Sequence, residues 1–213
     1  RRELTIAELK KILEGATGEL QTLLFIGTFT GLRLGDCCTL LWGEVDLDRG
    51  LIRRIPNKTA KNGKPVLIGI PNALHDKLSE TPPSKRKGYV LPGYAETYNY
   101  RNTEGDPNRR PDITKGIQAH FEACGIQTAK EDTGKKAYEA AVKKWEEAGR
   151  KGAAPIFKRA VLEVGFHSLR HTLATSLKNL GEQEAVISQI LGHTNPSMTG
   201  GRYGKPYPPS VLL

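Results

Sequence analysis

Apolar residues recur at helical spacing along most of this chain. Thr5-Ile6-Ala7-Glu8 has the spacing of a capping box, and Ile6, Leu9 and Leu13 follow it on one face, so a helix is predicted to open there. A more apolar helix is predicted from about Glu19 to Thr28, and a third entered at Arg33 and ending near Trp42. Leu51 to Ile55 and Pro65 to Ile70 read as two strands, and Asn62-Gly63 between them signals a type I′ hairpin turn. Pro71 opens a short helix through Leu78. Residues 80–111 lack periodicity and read as a long surface segment with room for one short helix. Ile113, Ile117 and Phe121 predict a helix stopped by Gly125. Residues 129–152 are dense in charge but carry Tyr138, Ala141, Val142 and Trp145 at helical spacing, the pattern of an exposed helix with one apolar stripe. Leu169, Leu173, Leu177 and Leu180 predict a helix closed by Gly181, and Val186, Ile187, Ile190 and Leu191 another closed by Gly192. The expected fold class is α+β, mainly helical, with a small antiparallel hairpin or sheet.

A chain of 213 residues with 38% apolar content can bury a core of its own. Its formal net charge of +9 suits a polyanionic partner, although a solubility surface gives the same number. Cys37, Cys38 and Cys124 are odd in number, and two are adjacent. That pattern argues against a disulfide framework and for a reducing, cytoplasmic compartment. The longest apolar stretch, around Leu23-Leu24-Phe25-Ile26, is far too short to span a bilayer, so no membrane partner is expected.

Four separated pieces carry the candidate chemistry. They are Thr30-Gly31-Leu32-Arg33, Asn57-Lys58 beside the hairpin, His167-Ser168-Leu169-Arg170-His171-Thr172, and Leu191-Gly192-His193 with Tyr203 ten residues later. A guanidinium fork matches two phosphate oxygens, and a tyrosine can attack phosphorus and hold the product covalently. His167 and Arg170 share one helix face, which by itself is an ordinary polar face. His167 and His171 also stand at the spacing of two zinc ligands, but no catalytic Glu or third ligand accompanies them, so no metal and no cofactor is expected. Arg33 lies among leucines, where Asp36 three residues on is its expected salt-bridge partner. A lysine on a hairpin is common on a solvated edge strand, yet its ammonium can also donate a proton to a leaving oxygen.

In this order, the pieces resemble the catalytic domain of tyrosine recombinases, most closely phage-type integrases, over Leu4 to Tyr203. The resemblance implies that Arg33 and Arg170 grip the scissile phosphate of double-stranded DNA and that His193 adds a donor. It implies that Lys58 protonates the leaving 5′ oxygen and His167 manages the nucleophile's proton. Tyr203 would be the nucleophile, giving a 3′-phosphotyrosyl bond, and Asp36 would support the first arginine. The expected activity is DNA strand transfer, as in the integration and recombination of phage or mobile elements in a bacterial cell, with further protomers on the DNA forming a tetramer in the full-length protein. The expected organisation is a single catalytic domain over residues 1–213 without the family's N-terminal clamping domain, and with a helical insertion at 127–155.

Two features depart from the family. Its tyrosine usually lies nine residues after the histidine, whereas Arg202 stands there and Tyr203 comes at ten, which leaves Tyr207 as the alternative nucleophile. The insertion has no assigned role. Type IB topoisomerase chemistry, a DNA-binding module of the same fold that has lost catalysis, and a basic structural protein are the competing readings.

Overall fold

The computed structural model describes residues 1–63, 65–100 and 110–191. At its centre runs α2 (Gly18–Thr30), apolar on all sides, with Leu23, Leu24 and Ile26 fully buried. A helix with no polar face has to be covered all round. α1 (Ile6–Glu14), α3 (Leu34–Cys38), α4 (Asn72–Ser79) and α8 (Phe166–Asn179) supply that cover. The closest approach is to α8, whose Phe166 and Leu169 fill the space where Gly27 has no side chain. As predicted, Thr5 caps α1 with both bonds of a capping box.

The chain up to Leu4 lies against α8. The Leu4 N–H donates to Thr172 Oγ1 at 2.8 Å, the Arg2 N–H to the Glu163 carbonyl at 2.9 Å, and the Thr175 hydroxyl to Glu3 Oε1 at 2.6 Å.

The sheet is antiparallel in the order β1 (Val45–Asp46), β2 (Leu51–Arg54), β3 (Val66–Gly69), with Ile52 opposite Ile68 and Arg54 opposite Val66. β1 was not expected from the sequence. Side chains alternate across a strand, so β2 turns Ile52 and Arg54 inward and Arg53 outward.

The two predicted strands pair, but not through a type I′ turn. Pairing ends at Arg54 and Val66, well short of Asn62-Gly63. The connection coils into a 3₁₀ helix, Asn57–Asn62, which Gly63 closes in the left-handed region at φ 61°. The third helix likewise stops at Cys38 rather than near Trp42, where Thr39 Oγ1 turns back to the Gly35 carbonyl at 2.7 Å, and Trp42–Glu44 forms a separate 3₁₀ turn.

Beyond the sheet, α5 (Pro92–Asn99) is the one short helix anticipated in residues 80–111. α6 (Arg110–Ala123) buries Ile113, Ile117 and Phe121 as their spacing predicts. α7 (Gly134–Glu147) is exposed, with Tyr138, Val142 and Trp145 half-buried along one stripe. The ends of this excursion meet, Lys130 N–H donating to the Val161 carbonyl at 2.8 Å and Gly134 N–H to the Lys158 carbonyl at 2.8 Å. α9 (Glu184–Ile190) packs on α8 and beside β3.

Gly31 ends α2 in the left-handed region at φ 61°, and a Cβ there would stand 2.6 Å from Leu191 Cδ2 and 3.1 Å from Leu173 Cδ2. Gly31→Ala therefore combines backbone strain with overpacking, and is expected to destabilise the fold by about 1–3 kcal/mol. Urea unfolding midpoints of the two proteins measure this, and an unchanged midpoint would contradict the packing described.

Candidate active site

The site is assembled from the ends of α2 and α9 and the start of α8. Arg170, four residues into α8, is buried, and its guanidinium reaches two backbone ends. Nη1 donates to the Gly31 carbonyl at 2.6 Å and Nη2 to the Leu191 carbonyl at 2.5 Å. Gly31 closes α2 and Leu191 follows α9, so both acceptors are carbonyls that a helix leaves unsatisfied. Among the described residues, two of the five guanidinium N–H groups are used in this way. Burial, followed by repulsion from Arg33, lowers Arg170 to about 10, while Asp36 and Cys37 oppose the shift. It stays charged at neutral pH.

Arg33 is the residue before α3, held in place by buried Leu32 on one side and the short helix on the other. It lines a cleft of about 660 Å³ together with Lys58, Asn57, Asp36, Tyr98 and Arg110. Lys58 is exposed on the 3₁₀ helix that connects β2 to β3. Asp36 does not pair with Arg33 as expected from the sequence. It is buried, accepts the Asn57 N–H at 2.7 Å and lies 3.7 Å from Arg54 Nη2. The reason is geometric: Arg33 precedes the helix and faces the cleft, whereas Asp36 points into the interior, where β2 supplies an arginine.

His167 lies one turn before His171, the two rings edge to face at 4.8 Å. Partial burial, then the charges of His171, Arg170, Arg1 and Arg33, push its pKa down to about 4. His167 is therefore neutral at pH 7, with a lone pair available to accept a proton. The same interactions place it in the electrostatic field of both arginines. Arg33 and Arg170 thus both act electrostatically on His167, and Arg33 also lines the cleft that holds Lys58. His193, Tyr203 and Tyr207 lie outside the described residues.

Several residues at the site escaped the sequence reading. Arg110 lays its guanidinium over the Tyr98 ring at 4.1 Å and donates from Nε to the Tyr98 carbonyl at 3.1 Å. The Tyr98 hydroxyl occupies the space where Gly35 lacks a side chain. Buried Arg54 ties Thr39, Glu44 and Asn57 together in the wall of the cleft. The available signal was the inward register position of Arg54, two residues after core Ile52. No group of three or more metal-ligating side chains is found among the described residues.

The sequence matches the phage integrase family over residues 2–208. The chain belongs to that family. Among curated relatives of this integrase-family chain is a tyrosine recombinase XerA of Thermococcus kodakarensis, 28% identical over 205 residues that cover 93% of this chain and 56% of the relative. A tyrosine recombinase XerC-like protein of Caldanaerobacter subterraneus subsp. tengcongensis is 25% identical over 210 residues, covering 92% and 48%. The chain spans about half the length of the curated relatives it matches. In fold it resembles the crystal structure of XerA recombinase, with a TM-score of 0.59 at 19% identity over 92% of this chain and 55% of that one. This is the mainly helical fold with a small antiparallel sheet that the sequence led us to expect.

The His167 shift has a consequence for stability. A histidine whose folded pKa lies near 4 against an ordinary 6.5 binds its proton more readily when unfolded, so its contribution is complete above pH 6.5 and is lost as pH falls toward about 4. Wild type should lose more stability between pH 7 and pH 4.5 than His167→Gln does. Urea midpoints of both proteins at the two pH values test this; parallel losses would show that His167 is not depressed in the fold.

Proposed function

We propose that this chain is the catalytic domain of a site-specific DNA recombinase that cleaves and rejoins strands through a 3′-phosphotyrosyl intermediate. The observation that carries this reading is that Arg33, which lines the cleft of Lys58, acts together with Arg170 on a neutral His167. Family membership and the net charge of +9 support double-stranded DNA as the substrate.

The chemistry is a displacement at phosphorus. The Tyr203 hydroxyl attacks the phosphodiester, His167 takes the phenolic proton, and the 5′ oxygen leaves with a proton from Lys58. The DNA 3′ end is then esterified to the tyrosine, and attack by a 5′ hydroxyl reverses the step without an energy source. Negative charge grows on the non-bridging oxygens in the transition state, where preorganised donors are worth most. Arg33 and Arg170 are those donors, with His193 a third contributor. An anionic phosphate also offsets the cations that depress His167, so substrate binding strengthens the base it needs. Exchange between two duplexes breaks four strands, which calls for four tyrosines and hence four protomers on the DNA.

On a nicked suicide substrate, Tyr203→Phe should abolish covalent attachment while leaving DNA binding nearly unchanged, and the DNA-linked peptide should map to Tyr203. Attachment at Tyr207 or elsewhere would overturn the nucleophile, and a chain that binds DNA but never links to it would instead be a binding module. Arg33→Ala should slow cleavage more than about a hundredfold. It is a cleaner probe than a change at Arg170, which also holds two backbone carbonyls. Lys58→Ala, but not Lys61→Ala, should regain cleavage when sulfur replaces the bridging 5′ oxygen, because a thiolate leaves without a proton.

A further inference from the structure

In the wall of the cleft, a buried arginine connects the helix that follows Arg33 to the turn that carries Lys58. Arg54 is the last residue of β2 and only 5% exposed. Nη1 donates to the Thr39 carbonyl at 2.9 Å and to Glu44 Oε2 at 2.7 Å. Nη2 donates to Thr39 Oγ1 at 2.7 Å and to Asn57 Oδ1 at 3.2 Å, and lies 3.7 Å from Asp36 Oδ1. Asn57 closes the circle, its backbone N–H on Asp36 at 2.7 Å and its Nδ2 on Thr39 Oγ1 at 3.1 Å.

This arrangement does more than satisfy a buried charge. Asp36 belongs to α3, three residues after Arg33, and Asn57 is the first residue of the 3₁₀ helix in which Lys58 is second. Every bond from Arg54 or Asp36 to Asn57 therefore fixes where that helix begins relative to Arg33. Lys58 is exposed and its long side chain is flexible. Without an anchored root, its ammonium would sample many positions around the cleft. Displacement by about 1 Å is enough to cost a catalytic group much of its effect.

We propose that Arg54 is a positioning residue for Lys58, holding the lysine's turn at a fixed distance from Arg33 through Asn57, Thr39 and Asp36. The inference rests on Lys58 being the proton donor to the leaving 5′ oxygen. Arg54 then matters most for the part of the reaction that needs this proton.

The test is the ratio of cleavage rates on two suicide substrates, one with the ordinary 5′ oxygen and one with bridging sulfur at that position. Both rates come from the same preparation, so a loss of folded protein cancels in the ratio. Relative to wild type, Lys58→Ala should raise the sulfur-to-oxygen ratio about a hundredfold or more, as loss of a general acid predicts. Arg54→Met should raise it at least about tenfold, while Arg33→Ala, which removes a donor used with both leaving groups, leaves it unchanged. Arg54→Lys, which keeps the charge but loses the fork, should fall between wild type and Arg54→Met.

If Lys58→Ala raises the ratio and Arg54→Met slows both substrates equally, Arg54 is merely structural and the proposal fails. If Lys58→Ala itself leaves the ratio unchanged, the proton-donor reading fails first and the proposal with it. Should Arg54→Met not fold, Asn57→Ala removes the side-chain acceptor for Arg54 and the donor to Thr39 on the lysine's own turn. The backbone N–H bond of residue 57 to Asp36 survives that change, so the variant must still raise the ratio about threefold or more, and no rise overturns the proposal.

Discussion

Two hydrogen bonds from one guanidinium govern how this site is built. Arg170 ends two helices at once, taking the carbonyl of Gly31 after α2 and that of Leu191 after α9. Because those carbonyls come from distant parts of the chain, the central helix, the helix bearing His167 and the approach to His193 share one fixed point. The close packing around it follows. Gly27 admits Phe166 and Leu169, and Gly31 admits Leu173 and Leu191, so α8 and α9 sit near enough for a side chain to reach both carbonyls. A buried charge is tolerable here because backbone dipoles surround it. The residue that organises these helix ends is also one of the cations acting on His167.

The charges are arranged so that the centre stays positive. The acidic groups near it, Asp36 and Glu44, are each paired with Arg54. Arg33 makes no ion pair among the described residues, and it repels Arg170 and His167 instead. Repulsion among cations is a cost that an anionic ligand would relieve. Burial first, and that repulsion second, keep His167 neutral in a strongly basic protein.

Periodic helices were legible in the sequence because their apolar stripes are fixed by contact with a single core. α1, α6 and α8 begin or end where Thr5, Gly125 and Gly181 say they should. Arg33, Lys58, His167 and Arg170 were singled out from their order along the chain; Arg33 and Lys58 line one cleft, and Arg33 and Arg170 act on His167. What sequence missed depended on tertiary distance. Asn62-Gly63 is a strong local turn signal, but the strands stop pairing too early for it to act as a hairpin turn. Asp36 looked like a local partner for Arg33 because spacing along a helix ignores what β2 brings from the other side. Arg54 was invisible as a site residue because its partners lie on three separate segments.

The placement of β3 beside α9 has a mechanical meaning. β3 is hydrogen-bonded to β2, whose connection carries Lys58, and α9 leads to Leu191 on the chain toward His193. Packing between β3 and α9 therefore links the sheet next to the lysine's turn with the helix that ends at the carbonyl held by Arg170, so a change of side-chain volume on either segment is felt by the other across more than a hundred residues of chain.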